Sequence, residues 1–409
     1  MSINGISKKP TLRFTDYTDE WDYVRGDELF APISNKEHNS DLPILALTQD
    51  QGAVPRDLIN YNVIVSDKSV AGYKVVEIDD FIISLRSFQG GIEYSRYKGL
   101  CSPAYIVLRK KDNNLSSDFY RIYFKSFNYI QELNKKLEGI RDGKMVSYGQ
   151  FSEILLPKPS FSEQQKIADC ISALEDLISS QDQKVDALKA HKQGLMQQLF
   201  PQNGETTPRL RFPGFTGAWE VKPLSHYLHE HKTKSDGKCE VHSVSVTKGV
   251  INQVEYLGRS FAASDTSKYN LAKPGDIIYT KSPTGAFPYG IVKQNKNPYN
   301  VIVSPLYAVY TPVNQCVGYI LDSFFESSVN TNNYLSSLIQ KGAKNTIQIS
   351  NDTFVSKSMC LPSNPAEQQK IAECLESFDS LIAAEIQELE FLKVHKKGLM
   401  QQLFPQPVK

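Results

Sequence analysis

"HKQGLMQQLFPQ" runs from His191 to Gln202, and "HKKGLMQQLFPQ" runs from His395 to Gln406, with one residue in twelve changed. Upstream, "EQQKIADC" begins at Glu163 and "EQQKIAEC" at Glu367, at the same distance from the histidine in both copies. Setting 163–202 against 367–406 gives 23 identities in 40 positions without a gap. Between the two motifs the residues advance in alternating steps of three and four. The first copy reads Ile171, Leu174, Ile178, Gln181, Val185, Leu188, Lys192, Leu195 and Leu199. The second reads Leu375, Phe378, Ile382, Glu385, Leu389, Leu392, Lys396, Leu399 and Leu403. This is the seam of a coiled coil, with polar interruptions at matching places.

Ser160 or Ser162 can cap the first helix, and Ser363 or Asn364 the second, where Pro365 suits the first turn. Pro201 and Pro405 end them. Each helix then runs for roughly 38 residues, about 57 Å at 1.5 Å per residue. A one-sided apolar stripe needs a partner, and the economical partner is the other copy. Two equal units in one chain imply an approximate twofold axis, so the helices are expected to pair as an antiparallel coiled coil.

The rest of the chain repeats more loosely. "TLRFTDYTDEW" (Thr11–Trp21) matches "RLRFPGFTGAW" (Arg209–Trp219), and these hold both tryptophans. "SDKSVAGYKVVEIDDFIISLRS" from Ser66 resembles "SDTSKYNLAKPGDIIYTKS" from Ser264, and "CSPAYIVLR" from Cys101 resembles "VSPLYAVYT" from Val303. These segments are rich in Ile, Val, Tyr and Phe, punctuated by Gly, Pro, Asn and Asp, which predicts short strands and turns. Segments 118–137 and 317–340 carry apolar residues at helical spacing. The plan is α+β: a globular domain over 1–160, a long helix in 161–202, a second domain over 203–365 and a second long helix in 366–409. The linker "FPQNGETTPRLRF" resembles what would form if the end, "FPQPVK", were joined to the start, "MSINGISKKPTLRF". The two ends of the chain are therefore expected to lie close together.

Composition sets the outer limits. The 409 residues suffice for two ordinary domains, each with its own core. No apolar run is long enough to span a bilayer, and the first residues lack a secretory h-region. Six scattered cysteines without a CxxC pair read as reduced thiols, so a cytoplasmic location is expected. The net charge of +1 announces no global nucleic-acid partner, so DNA binding would need local patches or partner subunits.

The duplicated order of "LRF…W", "GDII" at Gly275, "LP…EQQKIA" near Leu361 and "GLMQQLF" resembles the specificity subunit of type I restriction–modification enzymes, over nearly the whole chain. Asp79-Asp80 stands where Gly275-Asp276 would lead one to expect Gly-Asp. The resemblance implies two target-recognition domains, each reading one half of a bipartite site in double-stranded DNA. It implies helices that set the gap between halves and dock two modification subunits, to which restriction subunits attach. It implies a non-catalytic chain that binds no cofactor itself, with S-adenosylmethionine, ATP and Mg on the partners, and no membrane. Domains about 50 Å apart would be on the order of 15 base pairs apart, and both could enter the major groove.

Candidate readers follow from residue chemistry. In the first domain these are Thr48, Gln49, Gln51, Arg86, Ser87, Gln89, Tyr94, Arg96 and Lys98. In the second they are Thr247, Lys248, Asn252, Lys281, Ser282 and Thr284. Arg141 and Lys344, at matching positions, are phosphate-contact candidates.

Other signals are weaker. "SPLY" at Ser304 resembles the catalytic tetrapeptide of amino-methyltransferases, but Leu306 replaces the second proline and no glycine-rich cofactor loop precedes it. "SPAY" at Ser102 repeats it, in a segment expected to be strand. His226, His229, His231, Cys239 and His242 could ligate zinc, yet the repeat-equivalent positions Glu28, Ala31 and Ile33 could not form such a set, so no metal is expected. His226 and His229 fit one helix face. His191 and His395 suit helix packing or partner contact, and Cys170 and Cys374 suit packing. The rival from another class is a coiled-coil protein–protein scaffold without DNA reading, which leaves two related domains with divergent loops unexplained.

Overall fold

A computed structural model describes residues 2–3, 6–7, 9–39, 41–59, 70–135, 146–202, 204–235, 237–263, 265–341 and 347–405. The chain forms two compact units. One holds residues 1–182 and 388–409, the other residues 183–387. Each long helix thus contributes one end to each unit.

In the first unit the strands of the repeat are β1 (Asp22–Arg25), β2 (Phe30–Ile33), β3 (Leu45–Thr48), β4 (Gly52–Pro55), β5 (Lys74–Val76), β6 (Phe81–Ile83), β7 (Glu93–Tyr94), β8 (Gly99–Cys101), β9 (Ile106–Lys110) and β10 (Leu155–Lys158). The second unit repeats them as β11 (Glu220–Pro223), β12 (Leu228–Glu230), β13 (His242–Ser245), β14 (Gly249–Asn252), β15 (Asn270–Ala272), β16 (Ile277–Thr280), β17 (Ile291–Gln294), β18 (Val301–Val303), β19 (Ala308–Pro312) and β20 (Ser358–Leu361). The central antiparallel sheets are ordered β2-β9-β6-β7 and β12-β19-β16-β17. Around each lie the same three two-stranded pairs: β3 with β4, β5 with β8, β1 with β10, and their counterparts. These ten strands therefore recur in the second unit in the same order and pairing, where the sequences share only scattered motifs; two short hairpins, Ser2–Ile3 with Ile6–Ser7 and Gln340–Lys341 with Ile347–Gln348, stand outside the repeat.

One face of each sheet packs on helices. In the first unit Phe30, Phe81, Phe119, Tyr120, Phe124 and Phe151 fill this core, joined by Ile167, Ala168 and Ile171 of the first long helix and by Leu403 and Phe404 at the end of the second. In the second unit Tyr279, Tyr310, Phe325 and Phe354 do so, with Met196, Leu199 and Phe200 from one long helix and Ile371, Ala372 and Leu375 from the other. The opposite sheet face carries a small aliphatic core under each outer hairpin, around Ile82 and Val107 in one unit and Ile278 and Val309 in the other.

The long helices run Phe161–Leu199 and Pro365–Leu403, 39 residues each. Ser160 Oγ accepts from Glu163 N, and Asn364 Oδ1 accepts from Ala366 N, so each start is capped as its sequence predicts. Of the seam residues, Ile171, Val185, Leu199, Leu375, Leu389, Leu392 and Leu403 are buried. Leu174, Ile178, Leu188, Leu195, Phe378, Ile382 and Leu399 are half-buried. In the first unit Lys396 Nζ meets Glu175 at 2.7 Å. In the second Lys184 meets Glu385 at 2.7 Å, Lys192 meets Asp379 at 2.5 Å, and His191 packs edge-on to Phe378. In the second unit rising numbers on one helix thus meet falling numbers on the other.

Three expectations change. The helix expected over 118–137 is two, Ser117–Tyr123 and Phe127–Lys135, and that over 317–340 is Gln315–Glu326 followed by Ser328–Ser336. Serines cause the breaks: Ser126 Oγ accepts from Tyr129 N and Ser327 Oγ from Asn330 N, restarting the helix. "SPAY" is a turn rather than a strand, closed by Tyr105 N to Ser102 O, as Tyr307 N to Ser304 O closes "SPLY". His226 ends a 3-10 turn while His229 lies on β12, so they share no helix face. Among the described residues no helix is long and apolar enough to cross a membrane.

Candidate nucleic-acid interface

The turn before each central strand builds the scaffold for the candidate readers. Asp80 Oδ2 accepts from Glu77 N and Asp276 Oδ2 from Lys273 N, so each aspartate closes its own turn. Each also ties that turn to the neighbouring strand: Asp80 takes a bidentate grip from Arg109 at 2.7 Å twice, and Asp276 accepts from Thr311 at 2.8 Å and meets His231 at 2.9 Å. Gly275 precedes with φ +87°, and Asp79 adopts φ +72° in its place. Tyr94 donates to Asp79 Oδ1 at 2.5 Å, which compensates for a conformation that glycine takes freely.

In the first unit the β3–β4 hairpin and the 84–98 loop meet. Gly52, at φ +76°, lies so close to Tyr94 that a Cβ would stand 2.4 Å from the Tyr94 carbonyl oxygen, and Ala53 bridges Ser95. Gln49 lies over Gly90, where a Cβ would meet its side chain at 2.7 Å. The two segments chosen from sequence thus form one surface. Gln49, Gln51, Arg86, Gln89 and Arg96 are exposed on it, and Lys98 is exposed beside Glu77 at 2.9 Å. Thr48 is half-buried and holds the hairpin through Gly52 O and Gln51 N. Ser87 and Tyr94 stand inside: Ser87 Oγ accepts from Ser84 N, and burial, then Asp79, pushes the Tyr94 hydroxyl well above its usual range.

In the second unit Thr247 and Lys248 are exposed at the tip of the β13–β14 hairpin. Asn252 is engaged on both ends of its amide, capping helix Gln253–Leu257 through Val254 N and Glu255 N and donating to Glu240 at 2.7 Å. Lys281, Ser282 and Thr284 are exposed on a separate loop, which the pair Thr284 N to Phe287 O and Phe287 N to Thr284 O closes. Arg141 and Lys344 lie outside the described residues.

Two features escaped the sequence reading. Glu93 is buried beneath the first surface and bound to Lys125 at 2.7 Å. Burial raises the Glu93 carboxyl above its usual range and lowers the Lys125 ammonium, each partly offset by the other. After the second hairpin, Val254, Tyr256, Leu257 and Phe261 are exposed together, with Arg259 over the Phe261 ring at 4.5 Å. The string "VEYLGRSF" carried that signal, as apolar residues in a polar loop. Among the described residues no group of His, Cys, Asp and Glu could hold a metal ion.

Known proteins resemble this chain in sequence and in fold. The family described as "Type I restriction modification DNA specificity domain" matches residues 19–190 and again 230–392. The chain is 24% identical to the type I restriction enzyme MjaVIII specificity subunit of Methanocaldococcus jannaschii, over 80% of this chain and 79% of that one. It is 20% identical to the putative type I restriction enzyme MjaX specificity subunit of the same organism, over 92% and 87%. Its fold is similar to the S subunit of a type I restriction-modification system from M. genitalium, with TM-score 0.55 at 12% identity, covering 97% and 99% of the two chains. A chain solved in work on complex assembly and conformational transition of the type I R-M system gives TM-score 0.53 at 15% identity, covering 94% and 97%. Two matched segments, one in each half of a repeat of ten equivalent strands, place this chain in the type I restriction–modification DNA specificity family.

Proposed function

We propose that this chain is the non-catalytic reading subunit of a type I restriction–modification complex, with each unit recognising one half of a bipartite site in double-stranded DNA. The observation that carries this is the repeat itself. Two units of related topology expose unlike side chains on the hairpin tip and on the loop beside the central sheet. In the first unit Gln49, Gln51, Arg86, Gln89 and Arg96 offer amide and guanidinium groups suited to adenine and guanine edges. In the second, Thr247, Lys248, Lys281, Ser282 and Thr284 offer a different set. The long helices, as an antiparallel coiled coil, set the unread gap and dock two modification subunits. These carry S-adenosylmethionine and recruit the restriction subunits.

Mapping methylated adenines in DNA from cells that carry this chain and its modification partner tests the reading. Two unlike half-sites separated by a fixed gap are expected. A single uninterrupted motif, or no motif dependent on this chain, overturns it, and the latter favours a protein scaffold. Inserting one heptad at equivalent points of both helices is expected to widen the gap by about three base pairs, since seven residues add roughly 10.5 Å against about 3.4 Å per pair.

A further inference from the structure

Equivalent positions on β7 and β17 hold opposite charges. Glu93 sits across from Ile82, and Lys293 across from Ile278. Those isoleucines pair in turn with Val107 and Val309, and each follows its turn aspartate, Asp80 or Asp276, by two residues. In the first unit the position is neutralised, because Glu93 is bound to Lys125. In the second it is not. Lys293 is only 8% exposed, and among the described residues it makes no ion pair or side-chain hydrogen bond.

Alternation along β17 fixes where this lysine goes. Val292 belongs to the aromatic core, so Lys293 turns to the opposite sheet face, that of Ile278 and Val250 beneath the β13–β14 hairpin. The hairpin packs directly against β17. A buried ammonium without an anion is costly, and the cost is bearable when the methylene stem covers apolar surface and the head reaches the rim. Lys293 Nζ is not among the fully buried unpaired atoms, so it keeps an opening to solvent. The strand that carries Lys293 packs against the hairpin that presents Thr247 and Lys248.

Resting on the DNA-reading assignment above, we propose that Lys293 is a DNA-contacting residue of the second unit, donating to an acceptor oxygen or nitrogen on the half-site that this unit reads. Two sources offer that acceptor, a phosphate oxygen and the O6/N7 edge of guanine. A lysine whose stem is already packed loses less side-chain freedom on binding either than a freely rotating one does. The first unit has no counterpart, so the effect is confined to one half-site.

The test uses the full chain assembled with its modification partner, on duplexes carrying the site mapped for the wild type. Lys293→Met keeps the stem and removes the charge. Lys293→Gln is measured beside it so that a packing defect in one does not decide, and Lys293→Arg restores the charge. Affinity is expected to fall on the order of tenfold for both neutral variants and to recover in the arginine variant. A phosphate contact also makes the slope of log affinity against log salt shallower by about 0.9, whereas a guanine contact relaxes the methylation map at one position of one half-site. Folded neutral variants with wild-type affinity, slope and map overturn this assignment alone. A wild-type complex that leaves no footprint overturns the DNA reading and this assignment with it.

Discussion

Arg13 grips Glu163 through two hydrogen bonds, Nε to Oε1 at 2.7 Å and a terminal nitrogen to Oε2 at 2.8 Å. Arg211 grips Glu367 in the same way, at 2.7 and 2.8 Å. The arginine of each "LRF" is thus the partner of the glutamate in each "EQQKIA". The following glutamine finishes the joint: Gln164 donates to Pro159 O and accepts from Ser116 N, while Gln368 donates to Pro362 O and accepts from Asn314 Nδ2. Each motif pair therefore clamps the entry to a unit onto the first turn of a long helix.

The glutamate side chains are 2% exposed in both clamps, so removing one partner leaves a buried charge uncompensated. Arg13→Ala or Glu163→Gln is expected to cost about 3 kcal/mol in urea unfolding, with a double variant well short of the sum. The second clamp should be more sensitive. Trp219 Nε1 also donates to Glu367 at 3.2 Å, whereas Trp21 Nε1 is buried without a partner among the described residues. Glu367→Gln is expected to exceed Glu163→Gln by about 1 kcal/mol, because the indole bond loses its charged acceptor as well; equal losses would show that the carboxylate charge adds nothing to the indole bond.

The long helices were legible because a duplicated heptad with fixed length has few readings. The clamps were not, although their arginines and glutamates all lie in repeated motifs. Repetition shows that Arg13 and Arg211 are equivalent, not that each touches a glutamate about 150 positions away. The divided helices escaped because helical periodicity continues across Ser126 and Ser327. Among candidate readers, Gln49 and Arg96 stand exposed while Asn252 caps a helix and Tyr94 supports Asp79. The same polar side chain suits a base edge or an orphan backbone amide, and only packing decides between them.

Asp79 and Gly275 occupy equivalent left-handed positions, and substitutions there should diverge. Gly275→Ala forces a Cβ into φ +87° and against the Gln315 side chain, 2.1 Å away, so a loss of about 1 kcal/mol or more is expected. Asp79→Ala keeps the strained backbone and loses the Tyr94 hydrogen bond, and should destabilise similarly. Asp79→Gly trades the bond for relief of strain and should stay within about 0.5 kcal/mol of wild type. A large loss for Asp79→Gly, by thermal or urea unfolding, would place the Tyr94 bond above the backbone term.

The polar interruptions of the seam predict an acid-side transition. Burial alone would raise the Asp379 carboxyl, but hydrogen bonds from Lys192 and Tyr319, with the charges of Lys192 and Lys296, hold it below its usual value. Glu175 is lowered in the same manner against burial, by Lys396 and Arg121. A depressed carboxylate stabilises the fold fully above the unfolded value, near 3.9 for Asp, and that stabilisation is lost as pH falls through the lower folded value. The stability gap between wild type and Asp379→Asn should therefore be widest near neutrality and narrow below about pH 4. A gap that is flat across this range would mean the pair contributes no pH-linked stability.

Leu12 N donates to Gln402 O at 3.0 Å, and Leu210 N donates to Gln198 O at 3.0 Å. The entry to the first unit thus lies on the end of the second helix as the entry to the second unit lies on the end of the first. Asn128 adds a bond to Pro405 O, tying that end to the first unit again. A chain opened near Asn203, with its old end joined to its old beginning through a linker like "FPQNGETTPRLRF", keeps both of these bonds. Only an exposed connection is cut, and loop closure of this length changes the free energy by a fraction of a kcal/mol to about 1 kcal/mol. The permutant is expected to fold with a melting temperature within a few degrees of its parent, and to support the same methylation map. Aggregation of the permutant under conditions where the parent stays dissolved would show that the order of the two units in the chain, and not just their contacts, is needed for folding.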